Sequence, residues 1–183
     1  MDALFDTCLS FTLAEEGGFV DNPEDPGGAT FKGITLKSLR NYLKAPKTPV
    51  SVLRGLDEVS IAKFYRSQFW IPDQCGAVPP GIDLMLFDFG VNSGEQRPVP
   101  MMQWILGVDN DGDIGPKTQA AIGAWSASDL IGALRDAQEA YYRGLEKFGT
   151  FGDGWLSRLS RRYTLGIRLA ATTPPPAAAS LAA

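Results

Sequence analysis

Carboxylates, glycines and hydroxyls are concentrated in the segment EEGGFVDNPEDPGGATFKGIT, residues 15–35. Glu16 lies where an apolar helical pattern meets Gly17 and Gly18, so a rigid element would hold its carboxyl group beside an open turn. Asp25 follows nine positions later and offers a second carboxylate. Two acidic side chains that face one cleft are the groups most often used to hydrolyse a glycosidic bond. The segment therefore predicts a hydrolytic site for a carbohydrate.

The remaining residues of this segment fit the same chemistry. A general acid must be protonated at the working pH, and partial burial of a carboxyl group favours that form. Gly17 and Gly18 lack side chains, so a bulky polymer could approach closely, and the Thr30 hydroxyl could hold a water molecule. Acidic residues before proline also serve commonly in turns. From spacing alone, a solvated turn at Asp25 therefore stays open as the alternative.

Composition narrows the class of protein. The chain of 183 residues is 44% apolar and 21% charged, as is typical of one globular domain. Its longest apolar runs fall short of the roughly 20 residues that a membrane span requires, so we expect no stable membrane insertion. Histidine, the commonest metal ligand and general base near neutral pH, is absent, and we expect neither a metal nor a cofactor. Basic residues form no dense run, which disfavours a nucleic-acid partner.

The N-terminal residues and the cysteines indicate the compartment of synthesis. Asp2 and Asp6 occupy positions where a secretory signal would carry lysine or arginine, so we expect synthesis in the cytoplasm without a signal peptide. In a reducing cytoplasm, Cys8 and Cys75 are expected to be two buried thiols rather than a disulfide.

Apolar periodicity predicts a mostly α protein with a loop or short hairpin between Phe19 and Ile34. Thr35 and Asp57 are expected to cap two helices, and the apolar stripe of IDLMLFDF predicts a buried central helix. Further helices are expected at residues 101–108, 116–125, 129–148 and 155–170, with a low-complexity, disordered tail at residues 171–183.

The motif DNDGDIGP, residues 109–116, alternates aspartates like the first ligands of a calcium-binding EF-hand loop. Gly112 nevertheless stands at the fourth position rather than the sixth, and Ala120 occupies the place of the bidentate glutamate. We therefore expect a surface turn that leads into a helix.

The opening segment resembles the signature of glycoside hydrolase family 108, the N-acetylmuramidases of phage and prophage endolysins. It contains Glu-Gly-Gly, Asp-Pro-Gly-Gly-x-Thr and Gly-Ile-Thr in the family's order. FYRSQFWIPDQC and LMLFDFGVNSG resemble later family segments, whereas DGDIGPKTQAAI and GWLSRLSRR are similar to an associated peptidoglycan-binding region. The resemblance implies a lysozyme-like helical bundle in which a loop or hairpin lies at the active-site cleft.

The resemblance also implies roles for individual residues. Glu16 corresponds to the catalytic acid, and Asp25 with Thr30 is similar to an Asp and Thr of phage-type lysozymes, although Thr30 lies one residue closer to the Asp than is usual. From the residues themselves, Gly17 and Gly18, which lack side chains, and Asn92, a polar residue after an apolar stripe, are expected to border the substrate. The aromatic rings of Tyr65 and Trp70 could stack on sugars or belong to the core, and Asp88 could line the cleft or be a satisfied buried carboxylate.

The predicted organisation has a catalytic part at residues 1–95 and a helical peptidoglycan-binding part at residues 96–170 packed on it. We expect a monomeric endolysin that cleaves the β-1,4 bond between N-acetylmuramic acid and N-acetylglucosamine. It would reach the cell wall after a partner such as a holin permeabilises the membrane. A lytic transglycosylase and a non-catalytic peptidoglycan-binding or secretion-accessory protein remain the alternatives.

Overall fold

The chain folds as two compact, mostly helical units, as described by a computed structural model that covers residues 3–21 and 28–172. Backbone contacts define the units as Met1–Gln68 and Phe69–Ala183. The predicted fold class, mostly α with a small hairpin, is confirmed. Contacts place the boundary between the two units after Gln68, earlier in the chain than the boundary that the sequence predicts near residue 95. The reason is that the central helix packs with the helices that follow it.

The first unit combines helices with one antiparallel hairpin. Thr35 and Asp57 cap helices as predicted, since their side-chain oxygens accept hydrogen bonds from Ser38 N at 3.0 Å and Ser60 N at 2.8 Å. In chain order, the elements described are α1 (Ala3–Glu15), β1 (Thr30–Phe31), β2 (Ile34–Thr35), α2 (Leu36–Leu43), α3 (Val50–Arg54) and α4 (Glu58–Tyr65).

The hairpin turns through only two residues, Lys32 and Gly33. Their φ angles of 50° and 75° are both positive, as a type I′ turn requires. Phe31 pairs with Ile34 across the turn, and Ile34 is fully buried in the core of the first unit. Backbone geometry thus fixes which face of the hairpin points inward.

The second unit is built around a helix that is buried along most of its length. Its elements are a π-helical turn (Arg66–Trp70) that crosses the boundary between the units, a 3₁₀ turn (Cys75–Ala77), α5 (Ile82–Ser93), α6 (Pro98–Leu106), α7 (Pro116–Gly123), α8 (Ala127–Arg143) and α9 (Phe148–Thr172). The predicted central helix is α5, which packs against α6, α8 and α9.

A buried carboxylate connects α5 to α9. Asp88 Oδ1 accepts a hydrogen bond from Arg158 at 2.7 Å, and Asp88 Oδ2 accepts one from Arg162 at 2.7 Å. Arg162 is fully buried and also donates to Gln138 of α8, whose amide nitrogen donates to Met85 O at 3.0 Å. Asp88 is therefore a satisfied core residue, one of the two roles that the sequence left open.

Helices α8 and α9 differ from the predicted boundaries. The sequence predicted one helix over residues 129–148 and another over residues 155–170. In the structure, α8 ends at Arg143, and α9 begins at Phe148 and runs two residues beyond the predicted end. Three glycines near its start disfavour helix by intrinsic propensity. Packing outweighs that preference, because Gly152 is buried and a β-carbon there would lie 2.7 Å from the Phe148 ring. The predicted tail beyond Thr172 lies outside the described residues.

Asp73 is a buried carboxyl group of the second unit, and the part of the chain that the structure describes offers it no hydrogen-bond donor. Neither of its oxygens has a hydrogen-bond partner among the described residues, and a β-carbon at Gly90 of α5 would collide with Oδ2. Burial, reinforced by the negative charge of Glu95, raises the pKa of Asp73 to about 8. The group is therefore mainly a neutral acid at neutral pH.

Within the described segments, no helix is both long enough and apolar enough to cross a bilayer.

Asp73 should make the stability of the chain fall as pH rises. In the unfolded chain this carboxyl ionises with a pKa near 3.8, whereas in the folded chain its pKa is about 8. Between these values the folded state binds more protons, so its free energy of unfolding decreases with pH. We expect Asp73→Asn to raise Tm by several degrees at pH 8 and to change it little at pH 4, as measured by thermal melts.

A matched control is Asp57→Asn in the exposed cap of α4. Hydrogen bonds from Ser60 lower the pKa of Asp57, so its stabilising contribution is present above pH 4 and is lost on acidification. A gain in Tm for Asp73→Asn that is equal at pH 4 and pH 8 would contradict the buried-acid interpretation.

Candidate active site

Glu16 is held at the carboxyl end of α1. Its backbone N–H donates to Thr12 O at 3.1 Å, so it continues the hydrogen-bonded register of the helix by one residue. Buried side chains along the helix, Phe5, Cys8, Leu9 and Thr12, anchor it in the first unit. The Glu16 side chain is half-buried. A well-packed helix thus positions a partly accessible carboxyl group.

The hairpin turn lies against this carboxyl group. A β-carbon on Gly33 would lie 2.8 Å from Glu16 Oε2 and 2.5 Å from the Tyr65 hydroxyl oxygen, so both groups border the same glycine. The Tyr65 hydroxyl donates to Lys32 O at 2.7 Å and fixes the turn. Tyr65 is only 1% exposed, which makes it a positioning residue for this turn.

The segment after Glu16 leaves space and then joins the hairpin. Gly17 and Gly18 are exposed, and within residues 3–21 and 28–172 no other atom lies within 4 Å of a β-carbon built on either of them. Val20 then pairs with Thr30 through two backbone hydrogen bonds of 2.8 Å. The half-buried Thr30 donates its hydroxyl to Gly28 O at 3.4 Å. The strand that carries Thr30 is therefore tied to the chain that leaves Glu16.

The other predicted site residues have different surroundings. Asp25 lies outside the described residues and stays a prediction. Trp70 is 3% exposed and packs edge-on against Phe87, with ring centroids 5.7 Å apart, which favours a core role over sugar stacking. Asn92 is exposed in the last turn of α5, and its Nδ2 donates to the Tyr142 hydroxyl oxygen at 3.0 Å.

Sequence reasoning missed the role of Gly33. In the sequence, Gly33 is part of the Gly-Ile-Thr motif that carries the resemblance, and a glycine in a two-residue stretch between apolar residues is also a signal of a tight hairpin turn. Within residues 3–21 and 28–172, no three acidic or cysteine side chains are grouped as a metal site would need. The structure thus combines a half-buried carboxyl group at Glu16 with two exposed glycines, Gly17 and Gly18, directly after it.

Two family models match the chain. The model described as glycosyl hydrolase 108 matches residues 9–94, which include Glu16, the hairpin and α5. The model described as a predicted peptidoglycan domain matches residues 97–160.

A solved structure is similar over nearly the whole chain. SagA of Brucella abortus is 37% identical, with a TM-score of 0.82 over 93% of this chain and 97% of that protein. No curated protein sequence matches the chain.

Replacing Gly33 should disturb both stability and the carboxyl group of Glu16. We expect Gly33→Ala to lose about 1–2 kcal/mol from the positive φ and a further 1–3 kcal/mol from the collision with Glu16 and Tyr65. Displacement of the carboxyl group should also abolish cell-wall hydrolysis. Thermal melts and turbidity loss of purified walls measure the two effects.

Gly28→Ala provides the matched control, because its φ is 70° but no atom of the other described residues lies within 4 Å of a β-carbon there. This variant should lose only the stability that the positive φ costs, and it should keep most of its activity. Equal loss of activity in the two variants would mean that contact with Glu16 is not what makes Gly33 necessary.

Proposed function

Because the chain belongs to the glycosyl hydrolase 108 family, and is therefore a glycoside hydrolase, we propose that it is a muramidase with Glu16 as its general acid. The bond would be the β-1,4 linkage between N-acetylmuramic acid and N-acetylglucosamine. The match of residues 97–160 to a peptidoglycan domain supports peptidoglycan as the substrate. The observation that carries the proposal is the Glu16 carboxyl group, set at the end of α1 beside Gly33 and Tyr65.

Glu16 would protonate the oxygen of the departing sugar. The helix and the hairpin turn restrict its carboxyl group, so little reorganisation is needed when the bond breaks. The open space at Gly17 and Gly18 gives a glycan strand access to this group. Tyr65 would act through the turn rather than on the substrate, because its hydroxyl is already bonded to Lys32 O.

Asp25 is proposed as the second acidic group. It would orient the attacking water or stabilise the oxocarbenium-like transition state, with Thr30 helping to hold the water. A separation of roughly 6.5–9.5 Å between the two carboxyl groups favours inversion, and about 5–5.5 Å favours retention. Action as an endolysin on the cell wall, reached through a membrane lesion made by a partner, completes the proposal.

The chemistry at Glu16 can be tested without changing its shape. We expect Glu16→Gln to fold normally and to lose at least about 10²-fold in hydrolysis, because an amide cannot donate the proton. Glu15→Gln, which neutralises the adjacent carboxylate, is the matched control and should keep activity. Mass analysis of the products from purified peptidoglycan measures both turnover and end groups.

The two enzymatic alternatives give different end groups. Reducing muramic acid ends support hydrolysis, whereas anhydro ends would show a lytic transglycosylase. Undiminished turnover by Glu16→Gln would remove Glu16 from the mechanism. A parent chain that binds walls but never cleaves them would instead support the non-catalytic alternative.

Asp25→Asn should also reduce hydrolysis strongly, by about 10²-fold, if its charge acts on water or on the transition state. Asp21→Asn in the same loop controls for a general change of charge. Wild-type cleavage by an Asp25→Asn variant that melts like the parent would leave Glu16 with a different partner.

A further inference from the structure

A row of aromatic rings runs from the core of the second unit to its surface. The Tyr142 ring is stacked on that of Trp155 with centroids 5.8 Å apart, and Trp155 lies 5.9 Å from Phe151 at an angle of 34°. Tyr142 is only 2% exposed, Trp155 is half-buried and Phe151 is 51% exposed. The inner rings therefore support an outer ring whose surface is open to solvent.

An oriented amide lies at the inner end of this row. Asn92 Nδ2 donates to the Tyr142 hydroxyl oxygen, so the carbonyl oxygen of the exposed side chain points away from the tyrosine. An amide carbonyl held in this way can accept a hydrogen bond from the N–H of an acetamido group.

A fixed cation flanks the same row. Arg97 is exposed, its Nε donates to Ser93 O at 2.6 Å, and its guanidinium group lies 5.3 Å from the centre of the Tyr141 ring. Tyr141 in turn packs edge-on against Tyr142, with centroids 5.7 Å apart. Both contacts restrict the positive charge to a position beside the end of α5 and the Tyr141 ring.

We propose that these six residues form a glycan-binding surface, which we call the aromatic ridge: Asn92, Arg97, Tyr141, Tyr142, Phe151 and Trp155. The flat ring of Phe151 suits the apolar face of a pyranose, Asn92 suits an acetamido group, and Arg97 suits a carboxylate. An amino-sugar polymer with lactyl carboxylates presents all three groups. This inference rests on the proposed function, because it takes peptidoglycan as the polymer.

The aromatic ridge combines residues from both family-model regions. Asn92 belongs to the region matched as glycosyl hydrolase 108, whereas Arg97, Tyr142 and Trp155 belong to the region matched as a peptidoglycan domain. The hydrogen bond between Asn92 and Tyr142 joins the two regions directly. Residues from both matched regions would accordingly contribute to one glycan-binding surface on the second unit.

The test measures binding in the Glu16→Gln background, with two probes. One is peptidoglycan glycan strands freed of stem peptides, which keep lactyl carboxylates, and the other is β-1,4-linked N-acetylglucosamine oligomers, which have none. Phe151→Leu keeps apolar volume but removes the flat ring, and should weaken binding of both probes about three- to tenfold. Arg97→Gln should weaken only the lactyl-bearing strands, by about fivefold.

Trp104→Ala is the matched control, since this tryptophan of α6 is 72% exposed and is not part of the aromatic ridge. It should bind both probes like the parent. Phe151→Leu binding that equals the control would overturn the proposal, as would losses seen only with intact, peptide-bearing walls. Hydrolysis by the parent chain is assayed separately, so its absence would reject the muramidase assignment while the binding data still decide on the ridge.

Discussion

The second unit depends on one requirement, which is that the buried charge of Asp88 must be neutralised. A carboxylate in the core costs several kcal/mol unless partners satisfy it, and removal of one partner from a buried ion pair typically costs about 3–5 kcal/mol. Two arginines of α9 supply the positive charge, and Gln138 of α8 holds one of them. This requirement sets the rotation of α9 about its axis and the depth at which α8 lies, because each donor must reach its acceptor.

The first unit relies on backbone geometry where the second relies on charge. The turn at Lys32 and Gly33 is possible only with two positive φ angles, and it places a residue without a side chain beside the Glu16 carboxyl group. Tyr65 secures that turn from α4. The Glu16 carboxyl group thus lies among three elements that are separated in the sequence: the end of α1, the hairpin turn and α4. Residue spacing therefore indicates only part of this arrangement.

Local sequence signals predicted much of this mostly α fold, and the family resemblance added its lysozyme-like architecture. The caps at Thr35 and Asp57, the buried stripe of α5 and the helical position of Glu16 all depend on neighbours a few residues away. Helix α3 was missed because five residues give too short a period, and the start of α9 was missed because burial of Gly152 outweighs propensity. The contacts of Gly33 and the burial of Asp73 arise from tertiary packing, which residue spacing does not show.

The position of α5 bears on how such chains can be inherited. Family resemblance places this helix with the residues before it, whereas its packing places it with those after it. Recombination near residue 95 would join an Asp88 from one ancestor to arginines from another, and a new partner lacking them would leave the acid uncompensated. Recombination at this point should therefore succeed only between lineages that keep both the aspartate of α5 and the arginines of α9. The two regions are accordingly expected to be inherited together.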